Sequence, residues 1–238
     1  MIVKIDHTEI MGWQGAIHGM RNPKNSWDRS DTTFEVATNK DGIIEIIPTI
    51  GPNDMKLAKT LISGGPVHRK FIRMIYVTAD FTMPIYLTPE FDTYKIATVR
   101  DSCSFMHKGV AKEFEIEDFT LDDIEDPLCN DISIQDARDQ IIETINALRT
   151  KYLETKDMKY FRAIRQLIPQ GHNIRFTWSA NYEVLMGMYK WRKDHRLIEW
   201  HEICDWIKSL PYMTEFLMAA KLIQDKDQHG TTESDKQQ

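Results

Sequence analysis

At 238 residues, with 42% apolar and 28% charged side chains, the chain is long enough to bury a substantial core and has a globular composition. Its net charge of −6 removes the basic footprint that a nucleic-acid polymer requires, and no apolar run reaches membrane-spanning length. Three cysteines, Cys103, Cys129 and Cys204, lack the paired spacing of a zinc site or a disulfide framework, which fits a reducing cytoplasm.

Residues 2–5 alternate and read as a first strand. Residues 12–31, rich in Trp, Asn, Gly and charge, read as helix and loop. Two strands, 33–37 and 43–47, are predicted around the turn Asn39-Lys40-Asp41-Gly42. Asn53 or Asp54 is placed to cap a helix through Leu57, Ala58, Leu61 and Ile62, which Gly64-Gly65 stops. Residues 71–81 carry apolar side chains on both faces, as in a central strand. Pro84 opens the next element, and a helix is predicted over 91–99. The acidic residues between 113 and 126, Glu113, Glu115, Glu117 and Asp118 among them, fit a solvated connection better than a metal site, so no metal is expected.

Ser133, with Asp136 three residues on, resembles a capping box. The helix it opens has apolar positions Ile134, Ala137, Ile141, Ile145, Leu148 and Tyr152, stepping by three and four. Further helices are predicted at 158–167, 200–210 and 212–223. The tail over 224–238 is polar, lacks apolar anchors and is expected to be disordered, leaving one domain over 1–223.

Residues 165–195 are the most informative stretch. Pro169, Gly171 and Asn173 punctuate a loop, and 174–178 reads as a strand. Ser179 or Asn181 then caps a helix with Val184, Leu185, Met188 and Trp191 at helical spacing. A strand feeding a helix N-terminus presents unpaired N–H groups and a dipole to an anion. Arg165 before the strand and Arg192 at the helix end add positive charge, which suits a phosphorylated ligand.

This stretch resembles the C-terminal signature of the flavin-dependent thymidylate synthases, the ThyX family. Arg165, Ile168-Pro169, Arg175-Phe176-Thr177-Trp178, Asn181, Arg192 and His195 match it in order. A second block, 65–105, is similar to the family's Gly-His motif, long strand and RHRxxSxNExSxRY signature. It places His68 on the flavin-binding histidine, sets Met83-Pro84-Ile85-Tyr86 on a similar junction, and sets Ile96-Ala97-Thr98 on the family's hydrophobic-Ala-Ser. Lys95, Thr98, Asp101 and Cys103 keep the chemistry of the signature residues they replace. Thr93, Tyr94, Arg100 and the pair Phe105-Met106 depart from it, as do Glu183 and Gly187 in the first block. His195 is one place from the family's histidine. Lys is a point charge and Phe no donor, so phosphate binding would lean on Lys95, Arg100, Arg165 and Arg192.

The resemblance implies an α/β (α+β) fold, a mostly antiparallel twisted sheet flanked by long helices. It implies FAD, with NADPH and methylenetetrahydrofolate as co-substrates, and transfer of a one-carbon unit to C5 of dUMP. Arg165 and Arg192 would bind and polarise the nucleotide, with Glu90, Asp101, Ser102 and Cys103 lining its pocket. His68, Lys70, Tyr94, Lys95, Arg100, Asn181, Glu183 and His195 would hold flavin. A homotetramer in the cytoplasm is implied, the host's cytoplasm if the chain is phage-encoded.

Two other functions stay open: modification of another pyrimidine deoxynucleotide, and a non-catalytic nucleotide-binding or assembly relative. Each residue also has a plainer explanation. His68 fits a surface loop, Cys103 an inert small residue, and Arg192 to Arg196 a charged helix end. The Trp and Met residues of the last helices fit a core or a subunit interface.

Overall fold

A computed structural model describes residues 2–38, 42–105, 109–122, 124 and 132–224. The turn residues Asn39 to Asp41, Met106, Cys129, part of the acidic connection and the tail over 225–238 lie outside the described residues.

In chain order the elements are β1 (Lys4–Met11), α1 (Trp13–Arg21), β2 (Thr33–Thr38), β3 (Ile44–Thr49), α2 (Pro52–Ser63), β4 (Tyr76–Pro84) and α3 (Thr88–Phe91). There follow β5 (Thr98–Ser102), α4 (Ile134–Thr155), α5 (Met158–Leu167), β6 (Asn173–Asn181), α6 (Tyr182–Arg192), α7 (Ile198–Ser209) and α8 (Met213–Ala219). A four-stranded sheet has the order β1-β4-β6-β5, and β2 pairs antiparallel with β3 from Thr33↔Thr49 to Thr38↔Ile44. In β4 and β6, Thr78 meets Ser179 and Asp80 meets Thr177, and beyond the strand ends the Ile85 N–H donates to the His172 carbonyl. Partner numbers fall as the strand advances, so this central pair is antiparallel. The α/β class expected from the sequence is the one observed.

The chain divides into two compact units, neither of them continuous in sequence. The first comprises Met1–Asp6, Asp80–Thr93 and Arg100–Trp178; the second comprises His7–Ala79, Tyr94–Val99 and Ser179–Gln238. In the first, Ser133 caps α4 by accepting the Asp136 N–H at 3.0 Å, while Asp136 accepts from the Ser133 N–H. The left-handed Lys156 then turns the chain, and Asp157 caps α5. Ile142 and Ile145 of α4 pack with Phe161 and Ile164 of α5 and with Val110, Phe114 and Phe119. Phe81, Phe91, Phe176 and Trp178 form a second knot, with ring centroids 4.9–5.9 Å apart. Burying each of these side chains contributes about 2–3 kcal/mol, and each ring pair about 1 kcal/mol more.

In the second unit Trp13 meets Tyr182, Tyr212 and Phe216 at 5.4–6.5 Å. The chain enters α1 through Gly12 at φ 95°, and a Cβ there would lie 1.9 Å from the Met74 carbonyl oxygen, so only glycine fits. Lys221, at φ 58°, ends α8: the Leu222 N–H reaches back to the Leu217 carbonyl, closing a Schellman turn four residues before the predicted end.

Three further expectations are corrected. The predicted strand over 71–81 is divided, because Lys70–Met74 is a 3-10 turn and β4 starts at Tyr76. The Ile72 N–H donates to the Arg69 carbonyl and the Ile75 N–H to the Ile72 carbonyl, turn bonds that withhold these groups from a sheet ladder. Pro84 ends β4 rather than opening the next element. The helix predicted over 91–99 is only Thr88–Phe91; Ala97 turns left-handed at φ 59°, and the β-branched Thr98 and Val99 enter β5.

The cap of α2 is neither Asn53 nor Asp54. Gly51 stands at the cap, and the Asp31 carboxylate accepts the N–H groups of Asn53 and Asp54 at 2.8 and 3.0 Å. Asp54 is instead fully buried. It accepts Arg21 Nε at 2.7 Å, the hydroxyls of Ser30 and Thr32, and the N–H groups of Asp31 and Thr32.

Candidate functional site

The junction of β6 and α6 is built as the sequence suggests. Asn181 is buried, and its side-chain oxygen accepts the Val184 N–H at 3.1 Å. The oxygen is thereby committed to the helix, leaving the amide NH2 to meet a ligand. Glu183, in the first helical turn, is held by the fork of Arg69: Nε donates to Oε2 at 2.9 Å and Nη2 to Oε1 at 2.7 Å. Sequence reasoning singled out His68 and Lys70 and passed over Arg69 between them. The Glu183 carboxylate in the first helical turn, standing at a position where the ThyX family usually carries Arg, was the available signal. His68 is exposed, with its ring against Gly64, where an added Cβ would sit 3.0 Å from Cδ2. Lys70 is exposed as well.

The far end of α6 carries an aromatic box, also in the second unit. The Arg192 guanidinium lies 4.5 Å from the Trp200 ring centroid and 5.6 Å from that of Tyr94, and Nε donates to the Tyr94 hydroxyl at 3.0 Å. His195 packs edge-on against Trp200, and its Nδ1 accepts the Leu197 N–H at 3.2 Å, which leaves Nε2 protonated in the neutral ring. Tyr94, Arg192 and His195 are therefore brought together around Trp200. Trp191, predicted on the apolar stripe, is 70% exposed. Lys95 stays exposed.

The remaining candidates lie in the first unit. Arg100 donates from Nη1 to Asp92 at 2.6 Å and from Nε to the Ser102 hydroxyl at 3.0 Å, and it covers the Phe176 ring at 4.0 Å. Asp101, Ser102 and Cys103 are exposed, and Glu90 is half-buried in α3. Arg165 is exposed with its guanidinium 4.8 Å from the Phe105 ring centroid. Of the two free cysteines described, Cys103 is accessible, while burial pushes the Cys204 thiol up to about 12, leaving it inert.

A pocket of about 220 Å³ opens beside Cys103, lined by Phe105, Phe114, His172 and Arg175 among others. His172 stands among the rings of Phe105, Phe114 and Phe119 at 5.3–6.1 Å. Burial lowers its pKa, and Nδ1 has no hydrogen-bond partner among the described residues. A neutral imidazole with an unused nitrogen can accept or donate one hydrogen bond to a ligand polar group. Sequence reasoning missed this residue, because a histidine after Gly171 looks like loop punctuation. Among the described residues, no three His, Cys, Asp or Glu side chains are grouped to hold a metal.

No family model and no curated protein matches the chain. Solved structures do match. Thymidylate synthase X (ThyX) of Helicobacter pylori, solved with FAD and dUMP, superposes with a TM-score of 0.63 at 14% identity, covering 93% of this chain and 100% of that one. A second structure of the flavin-dependent thymidylate synthase ThyX of H. pylori, also complexed with FAD and dUMP, gives 0.59 at 13% identity, covering 92% and 99%. The chain therefore has the ThyX fold.

Proposed function

We propose that the protein is a flavin-dependent enzyme of the thymidylate synthase type, moving a one-carbon unit from methylenetetrahydrofolate to C5 of a pyrimidine deoxynucleotide, with dUMP as substrate and NADPH as reductant. The observation that carries this reading is the shared fold over 93% of the chain with a protein solved with FAD and dUMP. Arg165, Asn181, Arg192 and His68 keep the side chains that the ThyX resemblance calls for.

The donor set fits an anionic cofactor. Lys70 and Lys95 are exposed cations without an ion-pair partner among the described residues, His68 is exposed, and the Asn181 NH2 is left over from the cap. These residues would hold FAD, which when bound supplies the redox chemistry of the transfer. Arg100 and Glu183 are committed to Asp92 and Arg69, so their part is to shape the binding surface rather than to contact flavin phosphate. Arg192, fixed by Tyr94 and Trp200, offers a planar guanidinium in a set orientation, suited to orienting and polarising the nucleotide. His195 positions Trp200 behind it. Arg165 is assigned to the nucleotide as well, and Glu90, Asp101, Ser102 and Cys103 to its polar edges.

Absorbance tests this directly. The purified protein, alone or after incubation with excess FAD, should absorb in the near-ultraviolet and blue, and its reduced flavin should be reoxidised on adding dUMP and methylenetetrahydrofolate. A protein that stays colourless with excess FAD overturns the proposal.

The two other readings are favoured by one observation. Phe105 and Thr93 replace signature arginines, and Phe105 is packed against Phe114 and Phe161 rather than facing a phosphate. Flavin binding without dUMP-dependent reoxidation would select a different pyrimidine deoxynucleotide. Nucleotide binding without flavin would select a non-catalytic relative. The cytoplasm is the proposed location, with one functional domain over 1–223; no helix among the described residues is long and apolar enough to cross a membrane.

A further inference from the structure

One concavity lies in the second unit, and none of the residues assigned above lines it. It measures about 700 Å³ and is walled by the loop after α1 and the start of α2. Lys24, Arg29 and Lys56 line it, all exposed and none with an ion-pair partner among the described residues. Asn25 and Asn53 add amide donors, and Asp28 is the one unpaired carboxylate on the wall. In a chain with 36 acidic and 30 basic side chains, three unneutralised cations sharing one hollow are a local reversal of charge.

The walls are held in place from behind. Arg21 is 4% exposed and its charge is spent on Asp54. Its remaining N–H groups reach the Ser26 hydroxyl at 3.5 Å and the Arg29 carbonyl at 3.1 Å, so one buried guanidinium fixes the loop that carries Lys24 and Arg29. The α2 N-terminus is already satisfied by Asp31, so the anion-attracting groups are the three side chains themselves. A pre-shaped hollow loses little ordering entropy on binding, and its volume exceeds what a single phosphate fills.

We infer that this pocket, formed by Lys24, Arg29 and Lys56, binds a small multiply charged oxyanion, the polyphosphate group of a phosphorylated metabolite. The planar fork of Arg29 matches the oxygens of a phosphate or a carboxylate, a choice that titration with citrate separates. The pocket shares no lining residue with those proposed for flavin and nucleotide.

Calorimetric titration of the full chain with inorganic pyrophosphate at low ionic strength tests the assignment, with citrate as the carboxylate arm. Pyrophosphate should bind, and binding should weaken as salt is raised. Lys24→Glu and Lys56→Glu, both on exposed positions that leave the core intact, should each weaken it by about tenfold, while Asp28→Asn should tighten it. The flavin absorbance of the same variants should be unchanged. No heat with millimolar pyrophosphate, unchanged affinity in both lysine variants, or binding of citrate alone would each overturn the assignment. Loss of flavin in the lysine variants would overturn the separateness of the site.

Discussion

Gly12 and the pair Arg69–Glu183 show how single residues constrain this chain. Gly12→Ala combines a positive φ with a collision against a backbone carbonyl that cannot yield. It should cost roughly 2–4 kcal/mol in a urea unfolding titration. Arg69 and Glu183 keep 15% and 20% of their side-chain surface, so solvent still screens them. A double-mutant cycle through Arg69→Ala and Glu183→Ala should give a coupling of about 1 kcal/mol; additive losses would mean the fork does no more than two solvated charges. His172 is a base whose folded-state pKa is depressed, so the unfolded chain binds its proton more readily. Its neutral burial is fully tolerated above about pH 6.5 and costs stability as pH falls through that value. His172→Phe should therefore flatten the pH dependence of Tm on the acid side of about pH 6.5. None of these partners was legible in sequence. Arg69 and Glu183 are 114 positions apart, and nothing local marks a histidine as caged.

Elements were legible where their signals are local. Ser133 and Asp136 lie within one helical turn of each other, and Asn181 lies one residue before α6, so each cap was readable from its own stretch. The start of α2 was misread because its cap, Asp31, comes from 22 residues away. By the same token Asp54 looked like a capping carboxylate when it is the centre of the buried network on Arg21. Burial alone would push its carboxyl up. The hydrogen bonds from Thr32, Ser30 and Arg21 and from the Asp31 N–H outweigh that and hold it below the ordinary value. The sign follows: this stabilisation is complete above the unfolded carboxyl value near about pH 4 and is lost as pH falls through the lower folded value. Asp54→Asn should remove that acid limb from the stability profile. It should also cost about 3 kcal/mol at neutral pH, because Arg21 is left buried without its counter-charge.

For the whole molecule, the apolar surface is the readable quantity. Val36, Ile44, Val67, Ile96, Val99 and Trp191 are each at least 70% exposed. A two-stranded ribbon such as β2–β3 is marginal alone, and its outward Val36 and Ile44 call for cover. A homo-oligomer, a tetramer by the ThyX resemblance, would provide that cover. Light scattering behind size exclusion should report a mass above that of one 27.9 kDa chain, and Ile96→Asp with Trp191→Glu should lower it without unfolding the protein. The fold class was legible because the order of blocks along the chain was; the division into two interleaved units was not, since each is assembled from segments far apart. That interleaving bears on synthesis. The Tyr212 hydroxyl accepts the Ile50 N–H and donates to the Pro48 carbonyl, and the Trp206 indole donates to Thr8. These fastenings join residues 162–198 positions apart. While a ribosome is still extending the chain, the hairpin and first strand therefore wait, unfastened, for the last helices to emerge. Slowing translation beyond residue 180 should lengthen the window in which nascent chains are open to protease and to chaperones.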